Sequence, residues 1–329
     1  MHLDSTLKDT YNRRLNYLRV SVTDRCNLRC LYCVPPSERL KHKEVLRYEE
    51  ILRIIRIGVY LGISKVRITG GEPLVRKGIC TFLKDLNEID GLEDISLTTN
   101  GVFLKDKLKC IRAAGIKRLN ISLDTLKRDK YQAVTGSDRF NNVWEGIQAA
   151  HDMGFDPIKI NVVALKGIND DELADLAGLS LKYPFHIRFI EFMPIGISGL
   201  TRNQCMTGDD IMSRIGQLGT LVPVDNGSFD GPAQRYKIEG APGEIGLILS
   251  LTNHFCSQCN RLRLTANGQL RPCLLSDVQI DMKKILRKGC LDPELANVYL
   301  EAARRKPSEH RLRVQDDDMV ISQMSSIGG

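Results

Sequence analysis

The chain has 329 residues, 42% apolar and 26% charged, which is enough to bury most of its apolar surface in one large core with a satellite. This composition excludes disorder, collagen and coiled coil. Basic residues outnumber acidic ones by 47 to 40, a net charge of +7 that suits an anionic ligand or weak nucleic-acid affinity without requiring either. No apolar run approaches the ~20 residues of a membrane helix. Residues 1–6 carry neither a basic nor an apolar signal region, so a cytoplasmic, reducing setting is expected for the ten cysteines.

In chain order, β-branched runs alternate with helical patterns. Strands are predicted at 18–22, 66–69, 95–99, 119–123, 158–164 and 187–190, and amphipathic helices at 48–61, 78–89, 105–114, 142–153 and 171–181. Alternation of this kind specifies a parallel sheet covered by helices. Six βα units fall short of a closed eight-fold barrel, so the α/β architecture expected is a partial (βα)6 barrel, open along one side. It occupies 1–200. Beyond it the rhythm breaks. Turn-rich text at 225–228 and 240–243 flanks strands at 235–239 and 245–251, and helices follow at 282–288 and 293–304. A smaller C-terminal domain, 201–329, is expected to cover the open side. By composition its polar end, with Asp316, Asp317 and Asp318, is flexible.

Cys26, Cys30 and Cys33 follow the first predicted strand in a Cys-x3-Cys-x2-Cys array. A structural zinc site wants four ligands, and neither a fourth cysteine nor a histidine is close by. Three thiolates fit a four-iron cube with one iron left open. The spacing resembles that of the radical S-adenosylmethionine enzymes. In that family the open iron chelates the methionine moiety, and an electron from the cluster cleaves the sulfonium to a 5′-deoxyadenosyl radical. Gly70-Gly71-Glu72-Pro73, directly after the second strand, resembles the turn that holds the methionine amino group. Polar residues also end the later strands: Thr98, Asn100, Ser122, Asp124, Glu191 and Met193, with Lys159 and Asn161 in the fifth. Parallel barrels place their chemistry at such ends. The plain readings are a satisfied loop amide for Ser122, a core position for Met193 and a surface charge for Lys159.

Cys256, Cys259 and Cys273 form a second three-ligand set. Recruiting Cys290 would give a zinc-ribbon-like series, yet Cys273 and Cys290 lack the close spacing of a ribbon's second pair. Arg261 and Arg263 alternate on the strand that follows Cys259 and so point to one face. They can anchor a triphosphate, or form a solvated basic face.

Together the two cysteine arrays, the Gly-Gly-Glu-Pro turn, Phe189-Ile190-Glu191-Phe192-Met193-Pro194, Asn260-Arg261-Leu262-Arg263, Cys273-Leu274 and the terminal Gly328-Gly329 resemble the molybdenum cofactor biosynthesis protein A family, the GTP 3′,8-cyclases. The resemblance spans nearly the whole chain, more loosely at 201–221. It implies two [4Fe-4S] clusters, one on Cys26, Cys30 and Cys33 and one on Cys256, Cys259 and Cys273. S-adenosylmethionine would meet Tyr32, Gly71, Ser122 and Met193. GTP would meet Arg19, Arg67, Thr98, Lys159, Arg261, Leu262 and Arg263, with Arg19, Arg261, Arg263, Gly328 and Gly329 at the reacting centre.

The implied reaction takes hydrogen from ribose C3′, closes a bond to guanine C8 and passes a 3′,8-cyclised dihydroGTP to cyclic pyranopterin monophosphate synthase. The resemblance also implies a homodimer, with no membrane or nucleic-acid partner. Cys80, Cys110, Cys205 and Cys290 have no matching role and read as packing thiols. The rival readings are a peptide-modifying radical enzyme with auxiliary clusters, which usually carries more C-terminal cysteines, and a zinc-ribbon nucleic-acid module. The second would need stacking aromatics, and the chain is only 6% aromatic.

Overall fold

The structure, a computed structural model, describes residues 6–33, 39–196, 198–227, 231–312 and 320–328. Residues 1–5, Ser228, the acidic run Asp316, Asp317 and Asp318, and Gly329 lie outside these. Six βα units lead the chain. β1 (Tyr17–Ser21) precedes α1 (Tyr48–Tyr60), β2 (Lys65–Thr69) precedes α2 (Ile79–Asn87), and β3 (Asp94–Thr99) precedes α3 (Leu104–Ala113). β4 (Arg118–Ser122) is followed by α4 (Arg128–Thr135) and α5 (Phe140–Asp152), β5 (Ile158–Ala164) by α6 (Leu173–Lys182), and β6 (His186–Glu191) by α7 (Gly208–Ile215). The remainder supplies β7 (Leu221–Val224), β8 (Gln234–Ile238), β9 (Glu244–Ile248), β10 (Arg261–Leu264), β11 (Gln269–Arg271) and β12 (Ile280–Asp281). It ends in α8 (Met282–Arg287), α9 (Asp292–Arg304) and α10 (Met324–Ile327).

All twelve strands belong to one sheet, in the order β12-β11-β10-β1-β2-β3-β4-β5-β6-β9-β8-β7. From β10 through β1 to β6 and on to β9 every pairing is parallel. The outer strands pair antiparallel. The C-terminal strands thus extend both edges of the sheet that the six βα units begin. Along the inner strands one alternate set is apolar and fully buried: Leu18 and Val20, Val66 and Ile68, Ile187 and Phe189. These pack under the helices, which leaves the other set, including Arg19 and Arg67, to face inward.

The helices follow their apolar stripes. In α1, Ile51, Ile54, Ile55 and Gly58 recur at helical spacing and are buried. The buried Tyr299 of α9 donates to Ile54 O at 3.0 Å. Three helices escaped the periodicity reading, among them the four-residue α10. α4 buries only Tyr131, Val134 and Thr135, a stripe too narrow to stand out, and α7 is only eight residues long.

Buried polar side chains fasten the loops at the carboxyl ends of the strands. Fully buried Asn169 accepts from Leu165 N at 2.8 Å and donates to Asp124 O at 2.8 Å and Val163 O at 2.9 Å. Glu191, ending β6, accepts from Leu251 N at 2.8 Å and Thr252 N at 3.2 Å, which ties β6 to the loop that leads to Cys256. Glu72 accepts from Leu74 N at 2.9 Å, Thr99 Oγ1 at 2.8 Å and Asn100 N at 2.6 Å, and so joins the turn after β2 to the end of β3.

Replacing Asn169 with leucine keeps the volume and leaves three backbone groups unpaired. At about 1 to 3 kcal/mol for each such group, a loss of about 3 kcal/mol or more is expected, read as a lower urea midpoint. Glu72 gives a pH signature. Burial pushes its carboxyl up from 4.5 to about 7, against the three donors that pull it down. The folded chain therefore holds this proton more tightly than the unfolded chain. Stability should fall as pH rises from 4.5 to about 7 and level off above that window. In urea titrations across this range, Glu72→Gln should remove the slope; an unchanged slope would place the proton elsewhere.

Candidate active site

The parallel strands surround one cavity of about 290 Å³, which runs from their carboxyl ends to Tyr17 and Arg261 at the start of β1 and β10. Lining residues come from β1 to β6, from the end of β9, from β10 and from the loops beyond them, so the sheet curls around this space. Both cysteine sets open onto it, as do Arg19, Tyr32, Arg67, Gly71, Thr98, Ser122, Met193, Arg261 and Arg263. Three described residues assigned by the resemblance do not line it: Lys159, Leu262 and Gly328. Lys159 is buried in β5, paired in register with Asn120 and His186, and Leu262 lies in the main apolar core. The strand alternation that turns Arg261 and Arg263 inward turns Leu262 away.

The first cysteine set lies between two supports. Arg29 N and Leu31 N donate to Thr135 O and Val134 O, the last carbonyls of α4, each at 2.9 Å. On the other side the Gly70-Gly71 turn closes on residues 23–25, where Gly71 N donates to Thr23 O at 2.6 Å. A β-carbon on Gly71 would stand 2.5 Å from Arg25 O, so only glycine fits. Asn100 Nδ2 donates to Cys26 Sγ at 3.7 Å, and Tyr32 OH to Asp124 Oδ2 at 2.5 Å. Burial pushes the three thiols up, Cys33 to about 12 and Cys30 well above its ordinary value, with Asp124 adding to the effect on Cys30. Thiolates here need a compensating cation, which coordinated iron provides.

Cys256 and Cys259 flank a single turn before β10, and Cys273 follows β11. Burial raises the Cys256 thiol. At Cys259 burial acts in the same direction, but Arg261 and Lys306 outweigh it and bring the thiol down to about 6. Among the described residues no three His, Cys, Asp or Glu side chains are placed to share one metal ion. In a four-iron cluster each thiolate takes its own iron, so a cluster does not require the three sulfurs of a set to converge on one ion. Cys290 lies in the main apolar cluster and is not among the cavity's lining residues, which leaves the second set with three sulfurs.

A row of guanidiniums crosses the cavity. β10, β1 and β2 pair so that Arg263, Arg19 and Arg67 are register neighbours. Burial and the adjacent like charges depress Arg19 to about 10 and hold Arg263 well below its ordinary value. Arg263 Nη1 donates to Gly328 O at 2.8 Å, while Arg261 stacks its guanidinium 4.8 Å from the Phe255 ring. Buried cations crowded in this way favour an anionic ligand. Buried polar atoms without a hydrogen-bond partner line the same space: Tyr17 OH, Thr98 Oγ1, Asn161 Oδ1 and Ser325 Oγ. A polar, anionic guest fits these residues.

Three expectations need amendment. Cys80 and Cys110 are not packing thiols but a disulfide joining α2 to α3, because these neighbouring helices bring their Cα atoms to 5.8 Å. The C-terminal end is not loose over 320–328: Ser325, Ile327 and Gly328 are buried, and a β-carbon on Gly328 would stand 2.8 Å from Thr69. Arg188 and Lys306 were overlooked. Arg188 lies in β6 and lines the cavity, and its signal was an arginine inside an otherwise apolar parallel strand. Lys306 carried no signal, since it stands 33 positions beyond the last cysteine of the set it touches.

Residues 20–179 match the Radical SAM superfamily and residues 185–312 match the family described as Molybdenum Cofactor Synthesis C. Radical SAM membership brings with it a [4Fe-4S] cluster and S-adenosylmethionine. Among solved structures, SuiB of Streptococcus suis bound to S-adenosylmethionine is similar in fold. The TM-score is 0.64 at 15% identity, covering 92% of this chain and 78% of that one. A protein named GTP 3′,8-cyclase from Moorella thermoacetica is 47% identical over 98% of this chain and 100% of its own length. One of the same name from Thermodesulfovibrio yellowstonii is also 47% identical, with the same coverage. A third, from Pelotomaculum thermopropionicum, is 46% identical over 98% of this chain and all of its own. At that identity over nearly the full length of both partners, the chain belongs to the GTP 3′,8-cyclase family of radical S-adenosylmethionine enzymes.

Proposed function

We propose that this protein converts GTP to 3′,8-cyclo-7,8-dihydroguanosine 5′-triphosphate, the first step of molybdenum cofactor biosynthesis. The observation that carries the reading is that two three-cysteine sets face one cavity crossed by a row of arginines. In this reading Cys26, Cys30 and Cys33 hold the cluster next to S-adenosylmethionine, and Cys256, Cys259 and Cys273 hold a second. When bound, these groups supply a radical able to take hydrogen from ribose and an open iron that meets the base.

The chain's own residues position and exclude. Tyr32, Gly71, Ser122 and Met193 cradle the cofactor. Arg19, Arg67, Thr98, Arg261 and Arg263 hold GTP so that C3′ and C8 of one nucleotide are presented together, which makes ring closure intramolecular. Lys159 and Leu262 keep their assignment from the resemblance alone, Leu262 through its backbone. Gly328 accepts from Arg263 at a position where a larger residue would not fit, and Gly329 keeps its assignment from the resemblance alone. A homodimer that hands its product to cyclic pyranopterin monophosphate synthase completes the proposal.

The cysteine sets separate the two halves of the reaction. Cys26→Ser should stop S-adenosylmethionine cleavage, whereas Cys273→Ser should retain uncoupled cleavage and yield no cyclised product by mass spectrometry. Equal cyclisation by wild type and Cys273→Ser would overturn the role of the second set. Arg261→Ala and Arg263→Ala should each remove a charge-assisted contact of roughly 1.5 to 3 kcal/mol, weakening GTP binding about tenfold to a hundredfold. Anaerobic calorimetry with iron content held constant checks this, and unchanged affinity in both variants would remove them from the GTP site.

A further inference from the structure

A buried cation grips the second cysteine set and has no part in the reaction as described above. Lys306 follows α9 and is 3% exposed. Its Nζ donates to Pro272 O at 2.7 Å, to Arg261 O at 2.8 Å and to Cys259 Sγ at 3.5 Å. An ammonium has three N–H bonds, so its full donor capacity goes to Cys259, to the strand that follows it and to the residue before Cys273. The lysine's own loop is tied to the same region. Arg13 Nη1 donates to Cys256 O at 2.6 Å and to Ser308 O at 2.8 Å, and its Nη2 to Pro307 O at 2.6 Å.

A buried ammonium is costly unless a counter-charge meets it. Two of its three partners are neutral carbonyls, so only the Cys259 sulfur can carry the negative charge. The first set receives a neutral donor instead, the Asn100 amide on Cys26.

We propose that Lys306 is a positioning residue for the second cluster, and that its fixed charge on the Cys259 sulfur makes that cluster easier to reduce. Reduction adds negative charge to the cluster, and a cation held against one of its thiolates favours the reduced form. The inference rests on the reading that Cys256, Cys259 and Cys273 hold a cluster. Arg261 adds to the same field but belongs to the GTP site, so Lys306 is the residue to vary.

The experiment compares wild type, Lys306→Met and Lys306→Arg as full chains prepared without air. Iron content comes first. About eight irons per wild-type chain, four in each cluster, supports the underlying reading; about four would remove the second cluster and this inference with it. A redox titration followed by electron paramagnetic resonance, with S-adenosylmethionine added to mark the first cluster's signal, then reads the second.

Lys306→Met should shift its reduction equilibrium at least tenfold towards the oxidised form, about 59 mV for one electron, with the first cluster unmoved. Lys306→Arg keeps the charge and should fall nearer to wild type. An unmoved potential in iron-replete Lys306→Met, or equal displacement in both variants, overturns the proposal. Loss of the second cluster's iron from Lys306→Met alone supports a need for the charge; loss from both variants overturns it in favour of shape.

Discussion

The parallel pairing of β10 with β1 is the contact on which the site depends. It places Arg263 beside Arg19 and Arg261 beside Tyr17, and it carries the second cysteine set, just before β10, to the amino end of β1. Backbone hydrogen bonds make this register specific, since a slip of one residue would turn both arginines into the apolar layer and bring Leu262 into the cavity. The first cysteine set leaves the other end of the same β1 strand. A single strand therefore relates the two sets to each other.

Gathering so many cations in a dry space works against folding, and the surrounding structure offsets it locally. Lys65 meets Asp94 at 3.1 Å, Asp94 also meets Arg118 at 3.1 Å, and Arg263 finds the Gly328 carbonyl. The arginines aimed into the cavity are depressed by burial and by one another, a condition that a polyanionic ligand relieves.

The two cysteine sets share a cavity but not an electrostatic setting. The first is buried beside Asp124 and Glu72, with an amide as donor to Cys26, and its thiols are raised. The second has Arg261 and Lys306 at Cys259, which is lowered. Fold topology creates this contrast, because the acidic residues end β4 and follow β2 whereas the basic ones come from β10 and the segment after α9. The likeness to SuiB concerns the fold alone at 15% identity, so it does not revive the peptide-modifying alternative.

Much of this was legible in the residues. The six βα units, the strand ends that carry Thr98 and Ser122, and the two cysteine arrays announce themselves through local spacing, which depends only on short-range geometry. Periodicity also located α1, α5 and α9, whose apolar stripes are wide. It missed α4, whose buried face is narrow, and the short α7 and α10.

What local pattern could not supply was long-range pairing. That β10 and β9 continue the first sheet instead of forming a separate one, that Cys80 meets Cys110, that Leu262 turns away from Arg261 and Arg263 into the core, and that Lys306 reaches Cys259 all depend on segments far apart in the chain. Side-chain chemistry and periodicity are properties of neighbours in sequence, so they determined which groups the molecule would use. Which of those groups meet was decided by strand register and helix packing, whose free energy exists only once the whole sheet has assembled.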